Sequence, residues 1–168
     1  MTFDSKVANF FQMDDATWAR HANPWSVFTR TSVLPLLIVA VWSRVWIGGW
    51  SWVLVIAVLV WNWVNPRLFP RPKSTNNWAS KAVLGERVWI NRDTVPIPKH
   101  HRQFPNWLNA IAFLGLLLVI GGLIALSVWP TVMGLVLTLV GKFWFLDRMV
   151  WLHSDMQDAT PEYRDWLY

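Results

Sequence analysis

Two apolar runs in the C-terminal half of the chain constrain its fold most strongly. They cover residues 108–128 and 131–140, and the dipeptide Trp129-Pro130 separates them. A helix needs about 20 apolar residues to cross a bilayer, and a proline interrupts helical hydrogen bonding. The pattern therefore predicts two membrane-spanning helices, at residues 107–128 and 131–152, joined by a tight turn.

A second pair of apolar segments precedes the first. Asn23 suits a helix N-cap and Pro24 the first helical position, so a span is predicted to begin near Pro24. Gly48-Gly49 predicts a turn at the far interface. The return span is predicted at residues 52–64, where Asn65-Pro66 stops it. An interfacial tryptophan belt is expected around the glycine turn, formed by Trp42, Trp46, Trp50 and Trp52.

The composition is that of a membrane protein. Hydrophobic residues make up 54% of the chain and charged residues 15%, whereas soluble domains contain about 25% charged residues. The 15 tryptophans fit the membrane–water interface, which tryptophan favours. The chain has no cysteine, which excludes disulfides, thiolate metal sites and cysteine nucleophiles.

These features predict an all-α fold, a four-span transmembrane helical bundle of two helical hairpins with amphipathic interfacial helices on the cytoplasmic face. Its five segments are an amphipathic N-terminal segment, a first hairpin, a basic loop, a second hairpin and an acidic tail. They cover residues 1–22, 23–65, 66–106, 107–152 and 153–168. Within the loop, residues 77–91 are predicted to form an interfacial helix.

The basic loop orients the bundle. Residues 65–106 contain eight basic and two acidic residues, and such loops stay on the cytoplasmic side. With four spans, both termini are expected on that side, where the acidic tail can lie on the loop. The basic residues flank apolar spans, so anionic lipid headgroups are the expected partners and nucleic acid is not. The basic residues expected to face lipid are Arg67, Arg71, Lys73 and Lys81.

Small residues predict how the last two spans pack. Gly115 and Gly122 are seven residues apart in one span, and Gly134 and Gly141 are seven apart in the other. Ala112, Ala125 and Thr138 extend the two stripes. Small residues at helical spacing let two helix backbones approach closely, so the stripes are predicted to face each other. The alternative is a scatter of small residues on lipid-facing helices.

Histidines and a carboxylate are predicted to gather on the cytoplasmic side. The candidate metal ligands are His21, His100, His101, His153 and Asp155. Imidazole and carboxylate groups form a competent ligand set for Zn, Fe or Mn. Their spacing is not diagnostic, because the sequence has no HExxH motif and only a single HH dipeptide. Histidines near helix ends also cap helices, bind headgroups or face water, so no cofactor is the primary expectation.

Charges near the end of the fourth predicted span require partners, because ionisable groups are costly in a membrane. Asp147 and Arg148 lie there. Asp147 is predicted to form a structural ion pair with Arg20, Arg30 or Arg87. Such pairs would dock the basic loop under the bundle.

No motif in the chain establishes a reaction, and no catalytic residue is assigned. We predict a small integral membrane accessory or scaffold protein without catalytic activity, which contacts lipid and either a membrane partner or a second copy of itself. The alternative is a membrane-surface metal-dependent enzyme or sensor. A further alternative is an oligomeric channel or transporter, although no span carries a continuous polar stripe.

Four stretches resemble a known family: RHANPWS, LGERVWINRD, FLDRMVWLHSDM and PEYRDWLY. They are similar to small tryptophan-rich prokaryotic membrane proteins that are classified as a domain of unknown function. The resemblance covers nearly the whole chain. It implies a multi-pass protein of the plasma (inner) membrane of a prokaryote, and it supplies no catalytic residues.

Overall fold

The computed structural model describes residues 14–168, so the amphipathic pattern predicted for residues 1–13 lies outside the described part of the chain. The described residues form helices, turns and loops without a β-strand. In chain order the α-helices are α1 (Asp15–His21), α2 (Pro24–Arg30), α3 (Val33–Trp42), α4 (Arg44–Ile47), α5 (Ser51–Leu68), α6 (Trp78–Ile90), α7 (Phe104–Ile124), α8 (Val128–Met156) and α9 (Pro161–Asp165), with short 3₁₀ helices at Gly48–Trp50 and Lys99–His101.

The predicted all-α class is confirmed. Three helical stretches among the described residues are long and apolar enough to cross a membrane, namely Pro24–Leu68, Lys99–Ile124 and Val128–Met156. Their length and hydropathy indicate a membrane protein. The first stretch is 45 residues long, far more than the roughly 20 residues that one crossing requires.

Local signals set the breaks within Pro24–Leu68. The Asn23 side chain accepts a hydrogen bond from Trp25 N at 2.9 Å, so α2 begins at Pro24 as predicted. The chain then breaks after Arg30, because Pro35 lacks the N–H that would bond to the carbonyl four residues earlier. The hydroxyls of Thr31 and Ser32 instead donate to main-chain carbonyls of the preceding turn, each at 2.6 Å.

The chain reverses direction at Gly48. Gly48 has a φ of 54°, a left-handed conformation that costs glycine little. Helix α5 then returns beside α3 and α2. The predicted end of this helix at Asn65-Pro66 is wrong, because α5 continues through Pro66 to Leu68. The buried Asn65 side chain holds this last turn to α2 and so offsets the hydrogen bond that Pro66 cannot make.

Helix α6 confirms the helix predicted in the basic loop. The Asn77 side chain accepts from Ser80 N at 2.9 Å and caps its start. The helix packs against α8 within the protein, rather than resting mainly on lipid. Gly85 makes this contact possible, since a Cβ at that position would overlap the main chain of Met149. The buried positions of α6 cover most of its length and are Ala79, Ser80, Ala82, Val83, Leu84, Gly85, Val88 and Trp89.

Helices α7 and α8 run side by side, but the turn between them differs from the prediction. It lies at residues 125–127, where Leu126 has a φ of 51°, and not at Trp129-Pro130. Pro130 falls in the first turn of α8. That position tolerates proline because the first N–H groups of a helix have no acceptor within it.

The predicted small-residue stripes do face each other. A Cβ added to Gly115 would lie 2.6 Å from Thr138 N and 2.8 Å from Gly134 O. One added to Gly141 would lie 2.8 Å from Ala112 N. These distances are shorter than van der Waals contact, so the two backbones touch directly along the stripes.

Helix α8 extends beyond a bilayer core. Its 29 residues span about 43 Å, compared with about 30 Å of hydrocarbon. Its last turns, α6, the 3₁₀ helix Lys99–His101 and the tail form what we call the foot. The main buried cluster lies between the foot and the start of α7 and includes Trp89, Leu108, Met149 and Leu152.

The tail contacts the basic loop, as its opposite charge suggests. Thr75 N donates to Tyr168 O at 2.8 Å, and the Thr75 hydroxyl donates to Trp166 O at 2.7 Å. Tyr163 of α9 is buried and accepts from the Asn91 side chain at 3.2 Å. Most of these contacts are uncharged, so polar and apolar contacts hold the tail more than charge does.

Candidate metal site and interior cavity

His100, His101 and Asp155 converge at the foot. Both histidine Nε2 atoms face Asp155 Oδ2, at 3.1 Å from His100 and 2.9 Å from His101. One ligand atom from each of the three side chains can be chosen so that all lie within 4.8 Å of one another. The His101 side chain is 6% exposed and the His100 side chain 68%. The group therefore has one buried and one solvent-facing imidazole.

Local structure positions this trio. The 3₁₀ helix Lys99–His101 follows Pro98, and His101 N donates to Pro98 O at 3.1 Å. The Arg102 side chain donates to the carbonyl of the buried Ile97 at 3.1 Å, which fixes the approach to the 3₁₀ helix. Asp155 lies in the last turn of α8. The site therefore joins the start of α7 to the end of α8.

The other two predicted ligands lie elsewhere. His21 bonds to Ser26 and Arg30. His153 is buried on α8, and both of its ring nitrogens lack a hydrogen-bond partner among the described residues. His153 and Asp155 are two positions apart in α8. Side chains at that spacing point to different faces of a helix, so His153 does not share the face of Asp155. The structure thus brings together three of the five predicted ligands.

His21 belongs to a directed chain of hydrogen bonds between α1, α2 and α5. Ser26 Oγ donates to Asn65 Oδ1 at 3.0 Å, and Asn65 Nδ2 donates to Thr29 Oγ1 at 2.8 Å. Ser26 Oγ therefore accepts from His21 Nδ1, which lies 3.0 Å away. The remaining His21 Nε2 accepts from Arg30 Nη1 at 3.3 Å. Each side chain between Arg30 and Thr29 thus accepts one bond and donates the next.

This network requires a neutral His21. A second ring proton would point at Arg30, which can only donate. Burial and, to a smaller extent, the positive charges of Arg30 and Lys142 lower the pKa of His21 to about 3. His21 is therefore a structural hydrogen-bonding residue at neutral pH, and the arrangement gives it no open position for a metal ion.

A cavity of about 440 Å³ is lined by residues of α1, α2, α3, α5, α6, α7 and α8. Its size falls within the range of small-molecule sites. Most of the wall is apolar and includes Val33, Leu34 and Leu139. One part carries charge: Lys142 Nζ lies 2.5 Å from Glu86 Oε1, and Arg30 and His21 also line the wall. The cavity can accommodate a largely apolar molecule with one polar end.

The predicted ion-pair residues have different partners from those expected. Asp147 Oδ1 accepts from the indole Nε1 of Trp78 at 3.2 Å, and no basic side chain in residues 14–168 pairs with it. Arg87 pairs with Asp15, and with Glu162 at 3.3 Å. The predicted pair between Asp147 and Arg20, Arg30 or Arg87 is therefore wrong for the described residues. Arg87 of α6 instead forms ion pairs with a carboxylate of α1 and a carboxylate of the tail.

Arg148 is held by aromatic rings, and Arg30 contacts a neutral histidine. The Arg148 guanidinium lies over the rings of Phe104 and Trp151, with its Cζ 5.5 Å and 5.2 Å from their centroids. Arg30 donates to His21 as described above. Aromatic faces attract cations, which explains how Arg148 is accommodated beside an apolar span.

The basic residues expected to face lipid occupy two kinds of environment. Arg71 and Lys73 are exposed in the loop after α5. Arg67 and Lys81 are half-buried, and the Arg67 guanidinium lies 4.1 Å from the Trp63 ring centroid. Arg71 and Lys73 are therefore the members of this set that are most accessible to headgroups.

A comparison with known families matches residues 2–166 to DUF6653, a family of unknown function. The chain belongs to this family. The match covers nearly the whole length, as the resemblance of the four sequence stretches predicts. Comparisons with curated proteins and with solved structures find no match. The arrangement of residues in this DUF6653 protein therefore carries the functional argument.

Sequence reasoning missed the His21 network, the cavity and the Trp78–Asp147 bond. One signal could have indicated the first. Ser26, Thr29 and Asn65 are polar residues within or next to predicted spans, where polar side chains usually find partners. Asn65 interrupts an apolar stretch, and this favours a bond between spans. The sequence holds no comparable signal for the cavity, because its wall comes from seven separate helices.

Proposed function

We propose that this protein is a four-span integral membrane accessory or scaffold protein without catalytic activity. It contacts lipid along its spans and a membrane partner or a second copy of itself through its exposed surfaces. Its two helical hairpins would cross the membrane with the foot and both termini in the cytoplasm. The observation that carries this proposal is an apolar surface bounded by exposed tryptophans at both ends.

The division into four spans follows from contacts at each end of the bundle. Arg44 donates to the carbonyl of Leu123, so the Gly48 reversal and the end of α7 lie at the same end. At the other end, the Ser80 hydroxyl donates to Ala22 O at 2.6 Å, which joins α6 to the chain before α2. Two chain reversals at one end, at Gly48 and at residues 125–127, favour four crossings, with one helical segment entering and one leaving each reversal.

The tryptophans support lipid contact at both interfaces. Exposed tryptophans at the foot end are Trp25, Trp63, Trp107, Trp144 and Trp151, and those at the other end are Trp46, Trp50, Trp52 and Trp129. Between them, leucine, isoleucine and valine side chains of α5, α7 and α8 are exposed. So large an apolar surface is unusual on a soluble monomer. It fits contact with acyl chains.

Cysteine labelling tests the topology, and no native cysteine has to be removed first because the chain has none. Gly49→Cys and Ser74→Cys are labelled in intact cells with a membrane-impermeant maleimide, and permeabilised cells serve as the control for reactivity. We expect Gly49→Cys to react in intact cells and Ser74→Cys only after permeabilisation. Labelling of both sites from the same side would contradict four spans.

The scaffold role requires a partner or a second copy. Photo-crosslinking from an unnatural amino acid at Trp129 or Trp107 in native membranes, followed by mass spectrometry, identifies neighbours at each interface. The accessory role predicts one recurrent protein adduct, which is a membrane protein or this chain itself. Recovery of lipid adducts alone at both positions would overturn it.

We propose a second role, carried by the cavity: it holds an amphiphile with an anionic end. Two basic side chains line the cavity, Arg30 and Lys142, and Lys142 also pairs with Glu86. An anionic headgroup would approach Arg30 and Lys142, while an acyl chain would lie among Val33, Leu34 and Leu139.

Two neighbouring residues test the cavity. Leu139 lines it, whereas Val140 is half exposed and outside it. Leu139→Trp should fill the cavity and abolish lipid retained through purification, as measured by native mass spectrometry. Val140→Trp, on the outer surface, should leave retention unchanged. Equal retention by both variants, or none by the unmodified protein, would exclude this role.

A further inference from the structure

In the foot, two histidine side chains and one carboxylate lie close enough together to bind a metal ion. We propose that His100, His101 and Asp155 form a three-ligand site for a divalent first-row transition-metal ion, with Zn²⁺ as the simplest occupant. This inference is independent of the scaffold role, because it rests on the geometry of the trio. It converts the broad histidine layer expected from the sequence into three named ligands.

The distances fit a metal centre. Zinc bonds to histidine nitrogen and carboxylate oxygen are about 2.0–2.2 Å long, so ligand atoms in a tetrahedron lie roughly 3.4 Å apart. His100 Nε2 and His101 Nε2 lie 3.1 Å and 2.9 Å from Asp155 Oδ2. The full set lies within 4.8 Å. Side-chain adjustments of up to about 1.4 Å would bring the full set from this spread to the tetrahedral spacing.

The chemistry of the set also fits. Two imidazoles and one carboxylate suit Zn²⁺, and the same set serves Fe²⁺ when other positions are open to solvent. Both Nε2 atoms face one carboxylate oxygen, so each imidazole currently donates to it. A metal would replace those two protons, and each imidazole would then carry its proton on Nδ1. Each imidazole stays neutral when its proton is on Nδ1 in place of Nε2.

The site is pre-organised and open on one side. His101 is buried, and Arg102 and Ile97 hold its segment in place. His100 and Asp155 reach solvent, so an ion can enter from the cytoplasmic side and keep a water ligand. Three protein ligands with one open position describe zinc sites that bind an exchangeable group. In this chain the bound ion would also fasten α7 to α8.

The tail offers a matched control. Asp158 is an exposed carboxylate three residues after Asp155, and it pairs with Arg164 at 3.0 Å. It is not part of the histidine group. Asp158→Asn therefore removes the same charge from the same region without removing a proposed ligand. The lack of cysteine excludes thiolate binding as a competing source of zinc affinity.

The experiment uses the full chain, purified in mild detergent with a histidine-free tag and stripped with chelator. Isothermal titration with Zn²⁺ measures stoichiometry, and Co²⁺ absorption reports the ligand geometry. We expect one equivalent of Zn²⁺, bound at least tenfold more weakly in Asp155→Asn and His100→Ala, with affinity unchanged in Asp158→Asn. Circular dichroism confirms that each variant folds, and the exposed position of His100 keeps that variant informative.

Three results would overturn the proposal. The first is the absence of Zn²⁺ and Co²⁺ binding by the folded unmodified protein. The second is binding that His100→Ala and Asp155→Asn leave unchanged, since the ion would then be held elsewhere. A Co²⁺ spectrum typical of six oxygen ligands would likewise exclude coordination by two imidazoles.

Discussion

The close approach of α7 and α8 predicts opposite effects for two glycines on the same helix. Gly115 faces α8, where an added Cβ would lie 2.6 Å from Thr138 N and 2.8 Å from Gly134 O. Gly121 has nothing within 4 Å of the same added atom. Alanine at Gly115 therefore forces the helices apart, whereas alanine at Gly121 meets no neighbouring group.

The magnitude follows from these distances. Ordinary contact begins at 3.4 Å, so Gly115→Ala requires roughly 0.8 Å more separation between two backbones that cannot rotate away. Overpacking of this kind costs about 1–3 kcal/mol, and the shift also loosens the contacts at Gly134 and Gly141. Gly121→Ala instead contributes up to about 1 kcal/mol from helix propensity. Alanine gains the same propensity at Gly115, so the two variants should differ in free energy of unfolding by the overpacking cost of about 1–3 kcal/mol.

The assay is reversible unfolding in mixed micelles of mild detergent and dodecyl sulfate, followed by circular dichroism at constant detergent concentration. Gly115→Ala should unfold at a lower dodecyl sulfate fraction than the unmodified protein, and Gly121→Ala at an equal or higher fraction. Equal stability of the two variants would refute the direct backbone contact and the packing of α7 on α8 derived from it.

Three further predictions concern the foot and the network at its edge. Gly85→Ala should destabilise the protein by about 3 kcal/mol or more, measured in the same assay, because an added Cβ overlaps the main chain of Met149. Asp147→Leu should cost about 1–3 kcal/mol, since the half-buried Trp78 indole N–H loses its acceptor; an unchanged midpoint would mean that this bond contributes nothing. The low pKa of His21, about 3 against an ordinary value of 6.5, predicts full stability above pH 6.5 and a loss of about 1.4 kcal/mol per pH unit as pH falls toward 3, because only the unfolded chain takes up the proton there. Comparison with His21→Gln in pH-dependent unfolding isolates this slope, and parallel curves for the two proteins would show that His21 is not the group responsible.

Local sequence signals predicted the parts of the fold that depend on few residues. Asn23-Pro24 and Asn77 each mark a helix start that the structure confirms, because an N-cap side chain bonds within its own turn. The stripes of Gly115 and Gly134 predicted a face correctly, since a close helix contact requires small residues on both partners.

The boundaries predicted at the two prolines were wrong for different reasons, since Pro130 needs no acceptor in the first turn of its helix and Pro66 is offset by other contacts. Pro66 lies inside α5 and Pro130 inside the first turn of α8. A proline stops a helix only where no other contact offsets the lost hydrogen bond, and Asn65 supplies such contacts for Pro66. Those contacts come from α2, about 40 residues earlier in the chain, so a local pattern does not contain them.

The sequence predicted the kinds of ligand in the candidate metal site, but only three of the five residues named for it come together. The HH dipeptide and Asp155 were named from chemistry, and the structure brings them together. His21 and His153 belong to the same side of the predicted topology but are held by other contacts, because sharing one end of a bundle does not bring side chains within bonding distance. Asp147 shows the same limit: the charge was recognised, but its partner is an indole N–H and not an arginine.

The reversal of the chain at Gly48 is the central claim, and one distance tests it. Trp25 and Trp63 are both exposed, so each can carry a spin label after replacement by cysteine in the cysteine-free chain. Ser26 and Asn65 bond at 3.0 Å, so two antiparallel spans place the labels within about 20 Å when the added length of each label is included. A single continuous helix would separate these positions by about 57 Å. Double electron–electron resonance in lipid nanodiscs should give a narrow distribution near or below 20 Å; a distance above about 50 Å would contradict the four-span fold and everything derived from it.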